Sequence, residues 1–388
     1  MIKKIFLTIK VLFKAKFIFN NPVHKELIIF DGESSNQLKH ILKNFEYFVL
    51  ETRFSRINKF YISRKIIFDT IKNYQKNFLN SYLLTLIDHI NPKIVFTYID
   101  NSHRFTEFSE LRNKKYKFIA LQNGARYEHK IINKLIKKKN KNLEFNRFNI
   151  PYFLCFGNYE IKDYKKSKQK IKKFIKVGSL KLSNYLLEKK NKIKLKKNND
   201  ILLISDVNCW DSILDDLNFP IAEGVTNLIK FTIRFAIKNK LKLKIAVRSY
   251  KGNFYEENNF YKRNLSEIEY KYLVKSMFFR PSTYKTYEMM EKSKVVVGTM
   301  STMLRENLSI GGKTLACNFT KTEIFNFPIQ GLCSLNNCNY FNFETKLKKI
   351  IKMNSKNYTN SLGKDSSFLI HDQKTINSVV FKLKSLLK

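Results

Sequence analysis

Along the chain, short apolar runs rich in β-branched residues alternate with longer stretches of helical spacing, and each run is closed by a polar or glycine-containing turn. In the first half the runs are Glu26 to Phe30, Tyr47 to Glu51, Lys93 to Ile99, Lys117 to Leu121, Tyr152 to Phe156 and Phe174 to Val177. Their brevity and nearly continuous apolar character predict parallel strands covered on both faces. Helical spacing occupies Ser35 to Phe45 and a longer region from about Arg64 to Ile90, which stops before Asn91-Pro92. A second series of runs covers Asp200 to Ile204, Lys242 to Val247, Lys294 to Val297 and Thr314 to Cys317. Its helices are predicted over Ile221 to Lys238, over Tyr284 to Lys292, from Ser301-Thr302 to Gly311-Gly312, and from Phe343 onward. Between the two series lies Glu188 to Asn199, EKKNKIKLKKNN, with dense charge and little apolar content, which reads as a linker.

This succession predicts an α/β protein with two Rossmann-like parallel-sheet domains facing across a cleft. The expected limits are residues 1–187 for the first domain, 188–199 for the linker, 200–345 for the second domain, and 346–388 for a C-terminal helical segment. The last helix, roughly Lys374 to Lys388, is expected to pack back across the first domain. Residues 130–146, rich in Lys and Asn, read as a solvated loop. Residues 1–20 carry Ile2, Ile5, Phe6, Ile9, Leu12 and Phe13 at helical spacing among five lysines, a basic amphipathic helix. Such a helix suits either an anionic membrane surface or its own domain, and it lacks the cleavage pattern of a signal peptide.

Length and composition narrow the classes. A chain of 388 residues exceeds one ordinary core, and 44% hydrophobic residues suffice for two. No apolar run approaches the ~20 residues of a spanning helix. Five cysteines without Cys-x-x-Cys spacing imply neither a disulfide framework nor a zinc site, and a reducing cytoplasm is expected. The net charge of +41 rests on lysine far more than arginine, beside abundant Asn, Ile and Phe, as an AT-rich coding sequence would produce. Specific nucleic-acid readers lean on arginine, so no specific nucleic-acid partner is expected; attraction to phosphorylated ligands and anionic lipid remains.

Candidate chemistry sits at the ends of the predicted strands, the edge at which open α/β sheets bind ligands. Asp100, Asn101 and His103 follow one strand; Gln122, Asn123, Gly124 and Arg126 follow the next; Gly178 closes a third. In the second half Ser205 follows the first strand, and Arg248 and Lys251 follow the second. The turn Gly298-Thr299-Met300-Ser301-Thr302 leads into a helix that carries Glu306. A helix start directly after a parallel strand presents free N–H groups and the positive dipole end, and two hydroxyls add donors, which suits phosphate. Glu306, about one turn on, is placed to accept from a sugar hydroxyl. The same local pattern also fits a plain capped helix with an exposed glutamate.

Taken together, the two Rossmann-like halves, the Gly298 to Thr302 turn with Glu306, and the strand ends Ile99-Asp100-Asn101 and Leu121 to Arg126 resemble GT-B glycosyltransferases, nearest to bacterial surface carbohydrate (capsule and lipopolysaccharide) biosynthesis proteins. The resemblance implies that Ser301 and Thr302 hold the donor phosphate and Glu306 the ribose, with Gly298 and Thr299 in the same donor-binding turn. It implies metal independence and no cofactor beyond the nucleotide-sugar, which is a substrate. Many relatives carry Lys-x-His-Pro where this chain has Arg248-Ser249-Tyr250-Lys251, which leaves phosphate binding to Arg248 and Lys251. The expected reaction is hexosyl- or ulosonic-acid-type transfer to a glycan or lipid-linked acceptor, at the inner face of the cytoplasmic membrane. Asp100 is the expected base with His103 as second choice; Asn101, Gln122, Asn123, Gly124 and Arg126 orient the substrate, and Gly178 and Ser205 join the donor site. The alternatives are a polyol-phosphate transferase of polymer biosynthesis and a basic nucleic-acid-binding protein.

Overall fold

The computed structural model describes residues 11, 13–74, 77–127, 148–189, 195–207, 221–279, 283–362 and 366–388. The expected loop over 130–146, most of the N-terminal amphipathic segment, the middle of the expected linker and Cys209 lie outside the described residues. The strands are β1 Lys16–Ile18, β2 Leu27–Phe30, β3 Tyr47–Leu50, β4 Lys59–Tyr61, β5 Ile94–Thr97, β6 Lys117–Leu121, β7 Asn149–Cys155 and β8 Lys170–Lys176. They continue with β9 Asn199–Ile204, β10 Leu243–Ala246, β11 Met277–Phe278, β12 Ser293–Gly298, β13 Thr314–Asn318 and β14 Ser334–Asn336. Two six-stranded sheets result, in the orders β3-β2-β5-β6-β7-β8 and β11-β10-β9-β12-β13-β14, with every recorded pairing parallel. All carboxyl ends of a sheet therefore share one edge.

The continuous apolar runs follow from burial on both faces. In the first sheet Ile28, Phe30, Val95 and Ala120 face one core, while Leu27, Ile29, Ile94, Phe96, Ile119 and Leu121 face another. The second of these cores is closed by Val379, Leu383 and Leu386 of the last helix, Thr375–Leu387. That helix packs on the first sheet although it follows the second in sequence. The segment leading to it passes close to the first sheet's edge: His371 N–H donates to Phe156 O at 2.8 Å. A Cβ at Gly157 would lie 2.8 Å from Leu369 O, and one at Gly178, whose φ is +82°, would lie 2.2 Å from Asp372 O. Glycine at these strand ends admits a crossing backbone.

Some local expectations shift. The expected helical region from Arg64 to Ile90 is two helices, Arg64–Lys72 and Phe78–Ile90, the second starting at Asn77, whose side chain accepts from Asn80 N–H. It ends where Asn91 takes a left-handed conformation before Pro92, which cannot continue a helix. Helical spacing was expected through Phe19, but Lys16–Ile18 is a strand paired with β4, because Lys59–Tyr61 offers it an open edge. Among the described residues no helix is long and apolar enough to cross a membrane.

Candidate active site

On the second sheet, β12 ends at Gly298 and the helix Thr302–Ser309 starts from Ser301, whose hydroxyl accepts from Met303 N–H at 3.4 Å. β9 neighbours β12, so Asp206, just past β9, reaches the same turn. Its Oδ2 accepts from the N–H groups of Thr299 and Met300 at 3.2 and 3.0 Å. The donors expected to meet phosphate at Thr299 are thus already occupied by a carboxylate. The Thr302 hydroxyl accepts from Ala125 N–H at 2.8 Å across the cleft, a bond that engages its oxygen and not its own O–H.

Glu306 is buried, 1% exposed, in place of the exposed position a plain capped helix would give it. Its carboxylate accepts from the hydroxyls of Ser179, which follows β8, and of Tyr287, the latter at 2.8 Å. Burial pushes the Glu306 carboxyl up from its ordinary range, against the pull of those hydroxyls, of Lys181 and of Arg305. Burial likewise pulls the Lys181 ammonium down, and Glu306 opposes it. A carboxylate and an ammonium thus line the same chamber, each penalised by burial and supported by the other's charge.

On the first sheet, Asp100 is 3% exposed and binds Arg126 in a fork: Arg126 Nε to Oδ2 at 3.1 Å and Nη2 to Oδ1 at 2.5 Å. Asp100 Oδ1 also accepts from Asn123 N–H at 3.3 Å, and Arg126 donates to the Asn123 side chain. The strand ends of β5 and β6 are adjacent, which is why a carboxylate and a guanidinium 26 positions apart in sequence meet.

Between the two edges lies a cavity of about 530 Å³. Asn123, Gly124, Arg126 and Lys181 line it from the first sheet, and Asp206, Arg248, Tyr250, Ser301, Thr302 and Glu306 from the second. Three cationic side chains and two carboxylates therefore bound one chamber.

Several expected site residues lie outside its lining. Asp100 sits behind Arg126, and a base there is shielded from the chamber by its own ion-pair partner. His103 is exposed at the first position of the helix His103–Arg112, and Asn101 precedes it at the rim. Gln122 is fully buried, bridging Phe156 N–H and Gly124 O, so it braces the loop. Gly178 accommodates the crossing backbone. The Ser205 hydroxyl is held by Tyr261 OH at 2.6 Å and does not reach the cavity. Lys251 is exposed beyond the rim. Gly298 and Thr299 are buried beneath the turn, where a Cβ at Gly298 would crowd Leu304. Conversely, sequence reasoning missed Lys181, Asp206, Ser179, Tyr250 and Tyr287. Asp206 and Ser179 stand directly beside the strand-end positions Ser205 and Gly178, the one signal that points to them.

A buried ion pair completes the interface. Arg305, on the helix Thr302–Ser309, meets Glu160, on the helix Asn158–Lys166 of the first sheet, at 2.5 Å, with side chains 2% and 3% exposed. The guanidinium also lies 4.9 Å from the centre of the Tyr159 ring.

Comparison with known proteins bears on this architecture. UDP-GlcNAc 2-epimerase from Neisseria meningitidis bound to UDP-GlcNAc superposes with a TM-score of 0.54 at 11% identity, covering 96% of this chain and all of that one (100%). A protein described as "putative UDP-N-acetylglucosamine 2-epimerase" from Listeria monocytogenes gives 0.53 at 12%, covering 94% and 96%. A variant of the wall teichoic acid polymerase TagF gives 0.50 at 9%, covering 94% and 90%. At such identities the likeness is one of fold, the two-sheet GT-B arrangement that the sequence resemblance implies. No curated protein matches in sequence. The family model described as "putative O-antigen biosynthesis protein" matches residues 119–328, more than half of the chain, which spans the loop of Arg126, the Glu160 helix and the whole Ser301–Glu306 region. The chain belongs to this O-antigen biosynthesis family.

Proposed function

We propose that this protein transfers a sugar from a nucleotide-activated donor to a glycan or lipid-linked acceptor of surface polysaccharide synthesis. The observation that carries the reading is the chamber between the two carboxyl edges, bounded by Arg126, Lys181 and Arg248. In the transfer the acceptor oxygen forms a bond to the anomeric carbon, the bond from that carbon to the donor phosphate breaks, the nucleotide leaves with the electron pair, and the acceptor hydroxyl gives up its proton, to a base in an inverting transfer or to the departing phosphate in a retaining one. The protein must stabilise the negative charge that develops on the departing phosphate, and fixed cations in an enclosed site do this effectively. Arg248, exposed at the chamber wall and, among the described residues, held only through its backbone N–H by Glu257, is assigned to the phosphate, with Ser301 as a second lining residue. Side-chain cations in this role make the reaction metal-independent, and the donor serves as substrate with no further cofactor.

Asp100 is reassigned in this reading. Held in a fork with Arg126, it fixes the guanidinium toward the chamber, so it acts as a positioning residue for acceptor or sugar. Glu306 sits where a ribose hydroxyl would replace the Ser179 or Tyr287 hydroxyl as its partner. The proposed setting is the cytoplasm, against the inner membrane face where lipid-linked acceptors are presented; whether the sugar is a hexose or an ulosonic acid follows from the nucleotide that binds.

The test is a thermal-shift panel of CMP, UDP, GDP and ADP with their sugar conjugates, on wild type and on Arg248→Ala. One nucleotide is expected to raise the melting temperature of wild type. Loss of a charge-assisted contact at Arg248 should weaken its affinity by roughly 10- to 100-fold. If no nucleotide or nucleotide-sugar shifts the wild type, the donor site is wrongly assigned.

A further inference from the structure

Away from the chamber, the helix Arg64–Lys72 presents an unusual outer face. It buries Ile66 and Thr70 but leaves Ile67, Phe68 and Ile71 exposed by 47%, 65% and 63%, and exposed Tyr74 and Phe78 continue the row. The neighbouring edge adds to it. β1 lies beside β4, and Ile62 N–H donates to Ile18 O at 2.8 Å, which brings exposed Phe19 next to the start of this helix; Phe13 and Phe17 precede it on the same strand and its approach. Exposed cations are interleaved throughout: Lys14, Lys16, Lys59, Arg64, Lys65 and Lys72. None of them is ion-paired among the described residues. Asp69, the acid on the helix, is held by His89 at 2.8 Å and does not neutralise them.

We propose that this face docks on the surface of an anionic bilayer. The apolar row would enter the boundary between headgroups and acyl chains, while the flanking ammonium and guanidinium groups meet lipid phosphates. Charge complementarity selects this occupant: a row of large apolar side chains flanked by six exposed cations, with the one acid of the helix held by His89, matches a surface that is apolar below and anionic above. The sequence leaves residues 1–20 open between a membrane surface and their own domain; the structure extends the first option to a helix some fifty positions later, because β1 and β4 pair. The inference does not depend on the donor site.

Co-sedimentation of the full chain with phosphatidylcholine vesicles, with and without about 30% phosphatidylglycerol, tests it. Wild type should bind the anionic vesicles and not the neutral ones. Phe68→Ser with Ile71→Ser should lower partitioning at least about tenfold, and Lys65→Gln with Lys72→Gln about fivefold for each cation removed. Both variants should melt at the wild-type temperature and keep the wild-type nucleotide response, so that failure here is separable from failure of the donor site. Unchanged vesicle binding by both variants overturns the proposal, as does equal binding to neutral vesicles. So does a wild-type dimer, abolished by Phe68→Ser with Ile71→Ser, in a protein that binds no vesicle.

Discussion

Replacing Glu160 by Gln keeps the shape of the side chain and removes its charge, leaving the Arg305 guanidinium buried without a counter-ion. Both side chains are almost fully enclosed and meet at 2.5 Å. Burial works against the charge of Arg305, and Glu160, followed by the Tyr127 and Tyr159 side chains, together more than offset this, so the wild-type guanidinium is held ionised. Removing one partner of such a pair costs about 3–5 kcal/mol, because the desolvation penalty of the other stays while its Coulombic compensation goes. For a chain of this size, at about 2 °C per kcal/mol, the melting temperature should fall by about 6–10 °C. The Tyr159 ring beneath the guanidinium recovers a fraction of the loss, about 1–2 kcal/mol at most for a desolvated cation–π contact, and so places the result toward the lower end of that range. Urea unfolding of Glu160→Gln, Arg305→Met and the double variant Glu160→Leu/Arg305→Met gives the measurement. The double variant should recover most of the stability, since an apolar pair of similar volume carries no uncompensated charge. A loss below about 1 kcal/mol in Glu160→Gln would refute the reasoning. So would a double variant as unstable as the sum of the singles, which would show packing and not charge to be at stake.

Two further outcomes follow from the site. Asp100→Asn should leave nucleotide binding intact while lowering transfer, because it frees Arg126 without touching the donor side; lost nucleotide binding would instead make Asp100 essential to the fold of the rim. Glu306→Gln tests the buried carboxyl through pH: its folded pKa is raised above the ordinary value of 4.5, so the folded state holds the proton more tightly than the unfolded one. That contribution is fully present below about pH 4.5 and is lost as pH rises through the raised folded value. The stability of Glu306→Gln relative to wild type should therefore increase with pH from about 4 and level off above that value. Parallel pH profiles of the two proteins between about pH 4 and 8 would show that burial does not govern Glu306.

Strands and their order along the chain were legible because a strand buried on both faces needs continuous apolar, β-branched residues, and Ile28, Ile29, Val295 and Val296 provide them. Helix limits were legible where caps are local: Ser301 before Thr302, and Asn91-Pro92 after Ile90. What periodicity could not show are the partners supplied by distant elements. Glycine at 157 and 178 signals a close approach, yet nothing local says that the approaching group is the backbone of Leu369 and Asp372. A helix-start turn signals an anion site equally well whether the anion is a ligand phosphate or Asp206, and here the chain's own carboxylate takes the Thr299 and Met300 donors. Lys181 escaped notice because a lysine near a helix start reads as solvated in a chain with so many; only its position opposite Glu306 makes it distinctive.

The helix Thr302–Ser309 then acquires a different meaning from a phosphate cap. Positions 302, 305 and 306 share one face at helical spacing, and each reaches the first sheet: Thr302 to Ala125, Arg305 to Glu160, Glu306 to Ser179. Separating the sheets as rigid bodies must break all three together, one of them a buried ion pair. Such contacts give a closed state that is lost cooperatively, since once the helix leaves the first sheet, water reaches Arg305 and Glu306 at the same moment. The chamber wall carrying Arg248 and Tyr250 makes none of these three contacts, so the phosphate proposed for Arg248 makes no demand on them. The ribose hydroxyl proposed for Glu306, by contrast, would have to reach a buried carboxylate that already accepts from Ser179 and Tyr287. On the proposed donor assignment, phosphate and ribose therefore make unequal demands on the interface, and Glu160→Gln, which loosens it, should relieve the second while leaving Arg248 where it is.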